Sequence, residues 1–254
     1  MNLIKNGILV IIVLLVYGVL FAFADEGADK TSVPPYKNVN PNDAPENIRN
    51  AVMSGYDILM NTQRYFGGNL SCGNCHFLGG FTKGGKGGGI SLLGVAAVYP
   101  RRSSGEAKII DLPTAVRNCF SKSLNISPPP AEDRQMQSII AYLHWISHDI
   151  PIYSKVPWLG LPPVSLPQNP DAQNGGKVYL TNCAKCHSKD GSGNKTAPPL
   201  WGPNSYTNAS PLNNHISAFI LFNMPKGNAK LSQQQAQDVS SFIMSQSRPL
   251  WGGK

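Results

Sequence analysis

The chain has 254 residues, a formal net charge of +8 at neutral pH, 41% hydrophobic residues and five cysteines. The surplus positive charge falls almost wholly in residues 151–254, where nine Lys and Arg face three Asp and Glu; residues 25–150 are close to balance. A basic half suits nucleic acid, an anionic membrane or an acidic protein partner, and the export signal at the N-terminus excludes the first.

That signal occupies residues 1–24. Lys5 precedes an unbroken apolar run over residues 8–24, which ends in Ala22-Phe23-Ala24, the small-x-small pattern cut by signal peptidases. Asp25, Glu26 and Asp29 follow at once. The run falls short of the ~20 residues that span a bilayer. Cleavage of residues 1–24 is therefore expected, with a periplasmic mature protein. An uncleaved N-terminal anchor is the alternative, and only then is the membrane a partner.

Residues 42–66 place Ile48, Val52, Ile58, Leu59 and Tyr65 at helical spacing behind a capping residue at Asn42 or Asp43. Cys72-Gly-Asn-Cys75-His76 comes next. The glycine-rich run 79–91 lacks the Gly-Lys-Ser/Thr close of a phosphate loop and reads as a flexible loop. Residues 131–147 align Met136, Ile139, Ile140, Leu143 and Ile146 on one side of a closing helix. Six prolines in residues 149–175 forbid a regular helix or a central strand. That stretch reads as an extended linker lying along a surface through Trp158, Leu159 and Leu161. Beyond it come a shorter helix with Val178, Tyr179 and Leu180, the motif Cys183-Ala-Lys-Cys186-His187, and a closing helix with Ala236, Val239, Phe242 and Ile243. Helix, Cys-x-x-Cys-His, long loop, closing helix is thus written twice.

Cys-x-x-Cys-His is the attachment signal for c-type haem, with two thioethers to the vinyl groups and the His as an iron ligand. A shared structural zinc would need its cysteine pairs about 15–20 residues apart, and these pairs are far more distant. A thioredoxin-like pair needs a βαβ setting that is absent. The expected cofactors are two covalently attached haem c groups, held by Cys72 and Cys75 and by Cys183 and Cys186, with His76 and His187 as proximal ligands. The chain reads as mainly α, two cytochrome c-like haem domains in tandem joined by a Pro-rich linker. Its parts are 25–150, the linker 151–170 and 171–254. Within the segment "APPLWGP", the Pro199 carbonyl is expected to orient the His187 ring.

Each iron takes a second axial ligand, commonly Met or His. In the second half Met224, in the loop "FNMPKG", is expected to serve. Met244 reads as core packing and His215 as a cap or a solvent-facing residue. The first half has no methionine in an equivalent loop, and His144 and His148 read as solvated or cap-like. Cys119 occupies the matching position. In an oxidising compartment a leftover thiol needs something to hold it. Iron would hold it as a thiolate, with Arg117 and Lys122 supporting the charge.

The blocks "LSCGNCH", "LLGVAAVYP", "NCFSKSLN", "MQSIIAYLHWIS", "CAKCH", "PPLWGPNSY", "FNMPKG" and "LSQQQAQDVSSFIMSQSRP" together resemble thiosulfate dehydrogenases, dihaem cytochromes c that join two thiosulfates into tetrathionate. Tetrathionate reduction is the same chemistry backwards, and the sequence does not set the direction. The resemblance spans roughly residues 45–250, and Cys-Phe-x-x-Ser-x-Asn is its distinctive block. It implies Cys119 as distal ligand of an active-site haem and Met224 as ligand of the other haem. It implies an anion pocket drawing on Arg101, Arg102, Arg117 and Lys122, with Ser121 and Ser123 as further donors. Electrons would pass from the first haem to the second and on to an external cytochrome. The basic second half makes an acidic one the expected partner. The same residues leave open a non-catalytic dihaem electron carrier in which Cys119 only tunes potential.

Overall fold

The computed structural model describes residues 39–103 and 108–252, so the signal segment lies outside the described residues. Local capping explains most helix starts. A 3-10 turn at Pro41–Asp43, capped by Asn40, leads into α1 (Glu46–Met60). Neither Asn42 nor Asp43 caps α1: Pro45 stands at its N-cap without a side-chain bond. The chain breaks at Asn61 and resumes in α2 (Thr62–Phe66). After the first motif, β1 (Arg101–Arg102) and β2 (Ile109–Ile110) pair antiparallel. Then Asp111 accepts the Thr114 N–H at 2.8 Å to start α3 (Leu112–Lys122). Asp133 does the same for α4 (Arg134–Trp145), accepting from Gln135 and Met136.

In the second half Asp171 caps α5 (Ala172–Asn182), and a single turn, α6 (Ala184–His187), carries the second motif. α7 (Ile216–Asn223) and α8 (Gln233–Met244) complete the fold; Ser232 and Gln235 cap α8 reciprocally.

The repeated outline becomes a repeated packing unit. α1 crosses α4, burying Val52, Ile58 and Leu59 against Met136, Ile139, Leu143 and Ile146; α5 crosses α8, burying Val178 and Tyr179 against Ala236, Val239 and Ile243. Ile48, in the first turn of α1, and Leu180, one step off the Tyr179 face, are exposed, although the sequence pattern set them with the inner residues.

Both crossings depend on a glycine. A Cβ at Gly55 would lie 2.0 Å from the Ser138 carbonyl oxygen, and one at Gly175 would lie 2.0 Å from that of Asp238. Alanine at either position must push two helices apart. Gly55→Ala and Gly175→Ala are each expected to lower stability by about 1–3 kcal/mol, the usual range for overpacking. Denaturant midpoints of the holoprotein measure this, and unchanged midpoints would mean that the crossings are looser than described.

The described residues form one compact unit. Residues 151–170 are tied down along it: Ser91 and Gly160 exchange backbone hydrogen bonds at 2.9 and 3.0 Å, and Tyr153 N–H donates to Ala97. Trp158 and Leu159 pack on the core. The glycine-rich run is not the loose loop its composition suggested. Ile90 N–H donates to Cys75 O at 2.9 Å, Gly87 N–H to Phe222 O at 2.7 Å, and Gly89 N–H to Asn223 Oδ1 at 2.8 Å. Among the described residues no helix is long and apolar enough to cross a membrane.

Candidate active site

The first motif lies on a 3-10 turn at Cys72–Asn74, entered from α2. Thr62, fully buried, ties the two: Cys72 N–H donates to its Oγ1 at 3.2 Å, and that oxygen stands 3.3 Å from the Cys72 sulfur. His76 Nδ1 donates to the Ile90 carbonyl at 2.8 Å. The second motif repeats the arrangement, with His187 Nδ1 donating to the Pro198 carbonyl at 2.8 Å. The residue expected there was Pro199. The Asn194–Ala197 bridge sets the loop register and turns the earlier proline's carbonyl to the ring.

These features fit haem. Burial lowers the pKa of both imidazoles, against the opposing pull of their carbonyl partners, so each ring is neutral with Nε2 left to ligate a metal. None of the five cysteines is in a disulfide. Burial pushes the Cys72 and Cys183 thiols up to about 11 and Cys75 to about 12. Uncharged sulfurs in such surroundings suit thioethers, which never need to ionise. Among the described residues no group of three or more His, Cys, Asp or Glu is arranged to hold a bare metal ion.

Cys119 lies on α3, half-buried, close enough to Cys72 and Cys75 for its charge to raise both their pKa values. Burial raises the Cys119 thiol as well, and Lys122, one turn on, partly offsets this. Arg117 does not share in that support: its guanidinium donates to the Pro129 carbonyl. Lys122 also stacks over the Trp251 ring at 4.5 Å. Ser121 bonds back to its own helix through the Arg117 and Asn118 carbonyls, and Ser123 Oγ meets Ser210 Oγ of the second half at 3.1 Å. Arg101 and Arg102 sit exposed on the hairpin that leads into the start of α3, and Cys119 lies about two turns along that helix. Arg101 lies over the Tyr99 ring. The structure thus groups Cys119 and Lys122 with the first motif and sets the arginine pair at the far end of α3.

Met224 is the C-cap of α7, half-buried against the core, with its N–H on Ile220 O. Met244 ends α8 and packs into the core; His215 and His144 are exposed, and His148 stacks on Trp145. The sequence reading missed Asn223, Thr62 and Ser210. Ser210 had a local signal, as the cap before Pro211; the contacts of Asn223 with Gly89 and of Ser210 with Ser123 had none, because those partners are distant along the chain.

A SoxA/TsdA cytochrome c domain model matches residues 64–152 and a cytochrome c model matches residues 172–247. The thiosulfate dehydrogenase of Thiomonas intermedia is 33% identical over 88% of this chain and 73% of its own length. That of Allochromatium vinosum is 31% identical over 74% of this chain and 73% of its own length.

The chain belongs to the thiosulfate dehydrogenase family.

Its fold is shared with the thiosulfate dehydrogenase TsdBA of Marichromatium purpuratum, with a TM-score of 0.77 at 21% identity over 88% of this chain. The chain spans about half, 52%, of that protein's length. As a member of the thiosulfate dehydrogenase family, the protein is an oxidoreductase built from two cytochrome c domains with two covalently bound c-type haems.

Proposed function

We propose that this protein oxidises two thiosulfates to tetrathionate at the first haem site, with Cys119 as the working sulfur. The observation that carries the proposal is a free thiol on α3 beside the Cys72–Cys75 motif, where an electron-transfer domain needs none. When bound, the two haems supply one-electron acceptors for the two electrons the product requires.

The protein's own residues do the sulfur chemistry. The Cys119 thiolate bonds to the outer sulfur of one thiosulfate, losing two electrons overall and leaving a sulfonated persulfide on Cys119. The outer sulfur of a second thiosulfate then attacks the outer sulfur of that adduct. The new bond makes tetrathionate, and the bond to Cys119 breaks to return the thiolate. Atoms and charge balance once the two electrons of the first step are taken up, one by each haem when bound, and passed to an external one-electron acceptor. Bringing two dianions together needs cations. Lys122 is nearest, and Arg101 and Arg102, exposed on the hairpin, would receive the incoming anion, Arg101 from its place over the Tyr99 ring. Ser123, already bonded to Ser210, holds the C-terminal end of α3. Arg117 anchors α3 to residue 129 and acts on the site through position. Product analysis tests the proposal: holoprotein given thiosulfate and a small one-electron acceptor must form tetrathionate.

In this reading His76 and, at rest, Cys119 would hold the first iron, which keeps Cys119 a thiolate until turnover frees it to attack, and His187 and Met224 would hold the second. The mature protein works in the periplasm, delivered there by residues 1–24. Electrons leave from the second haem to an acidic cytochrome. Lys177, Lys185, Lys189, Lys195, Lys226 and Lys230 are all exposed in the second half and supply a steering field. Lys185→Glu with Lys226→Glu is expected to slow electron delivery to an acidic cytochrome several-fold at low salt. The difference should fade as the screening length falls to about 8 Å at physiological ionic strength. Thiosulfate oxidation with a small neutral acceptor should change little in Lys185→Glu alone, the control needed because Lys226 also covers the Phe77 ring. Equal losses with both acceptors, or no salt dependence with the protein acceptor, would remove the docking role.

A further inference from the structure

We propose that Asn223 is a positioning residue that couples the two haem sites, fixing the Met224 ligand of the second against the wall of the first. The inference rests on the reading of Met224 and His76 as iron ligands given above.

α7 is apolar but for Ser217 near its start and Asn223 at its end, and Asn223 is fully buried. A buried amide is costly unless both its ends are bonded. Asn223 Nδ2 donates to Phe219 O at 3.0 Å, within its own helix. Its Oδ1 accepts from Gly89 N–H at 2.8 Å, across the seam between the halves. Gly87 N–H adds a second bond at 2.7 Å to Phe222 O, one of the carbonyls that the end of a helix leaves unpaired.

The other side of the seam is the proximal wall of the first site. Ile90 follows Gly89; its carbonyl orients His76 and its N–H bonds to Cys75 O. Gly89 has no slack, since a Cβ there would stand 2.7 Å from Cys75 O and 2.8 Å from Phe77 N. Phe77, next to His76, packs edge-on against Phe219 with ring centres 5.9 Å apart, and Lys226 covers its ring at 4.4 Å. Met224, Asn223, Gly89, Ile90 and His76 are thus joined in that order by two hydrogen bonds and short lengths of backbone. Any shift of Met224 toward or away from its iron pulls on the segment that orients His76. By linkage, a change at either site is felt at the other.

The test is redox potentiometry of the holoprotein with the near-infrared methionine-to-iron band recorded alongside. Asn223→Leu is expected to leave both haems attached, to remove at least half of that band and to lower the second haem's potential. Asn223→Asp, measured at a pH low enough to protonate the carboxyl, can still accept from Gly89 N–H and donate to Phe219 O, and should restore the band. Should Asn223→Leu fail to yield holoprotein, Asn223→Ser, too short to reach Gly89, carries the same expectation. A wild-type band and potential in Asn223→Leu or Asn223→Ser would overturn the proposal, as would Asn223→Asp behaving like Asn223→Leu. Met224→Ala separates the two claims. If it leaves the band intact, Met224 is not the ligand. If it removes the band while Asn223→Leu does not, the coupling alone fails.

Discussion

Cys119→Ala is expected to abolish thiosulfate oxidation while both haems stay attached. Attachment depends on Cys72, Cys75, Cys183 and Cys186, and Cys119 belongs to neither motif. The residue sits inside α3, where alanine is a good helix former, and is only half-buried, so the fold should survive. What disappears is the sulfur proposed to carry the first thiosulfate. Loss of a covalent nucleophile commonly costs orders of magnitude, so turnover should fall by at least about a thousandfold. Cys119→Ser should fall nearly as far, because a hydroxyl cannot form the persulfide. Steady-state rates alongside haem content decide the matter. Wild-type turnover by Cys119→Ala would end the proposed mechanism.

Met224→Ala carries the second-largest expected effect. Methionine ligation raises the potential of a c-type haem, so its loss should drop the second haem's potential and erase the methionine-to-iron band. Delivery to an external cytochrome would slow, since the second haem becomes a poorer acceptor for electrons leaving the first. Met244→Ala is the control. Met244 packs into the core at the end of α8, so its loss should cost stability without moving either potential. The reverse pattern, with Met244→Ala erasing the band and Met224→Ala sparing it, would show that the ligand assignment is wrong.

The parts legible in the sequence are those with local rules. Cys-x-x-Cys-His is contiguous, so both motifs could be read directly. α4 and α8 combine an apolar stripe with a cap at Asp133 or Ser232, and both lie within the segments the periodicity marks. α3 carried a usable start signal, Asp111 followed by Leu112-Pro113, and an apolar stripe at Leu112, Ala115, Val116, Cys119 and Phe120; both are local signals, and the reading of Cys119 as a loop ligand passed over them. α7 is apolar on nearly every side and so has no strong period to detect. The choice between Pro198 and Pro199 depended on loop register, which residue type cannot set. The glycine-rich run was misread for a related reason: its backbone N–H groups find acceptors in α7, well over a hundred residues away. Candidate site residues that meet across the seam, Ser123 with Ser210 and Gly89 with Asn223, became visible only once the two halves were seen packed together.

One measurement bears most directly on the central claim. Purified holoprotein with both haems attached is given thiosulfate and a small neutral one-electron acceptor, and tetrathionate and reduced acceptor are counted together. The account predicts two acceptors reduced for each tetrathionate formed. Holoprotein that exchanges electrons freely with the acceptor yet consumes no thiosulfate would contradict it.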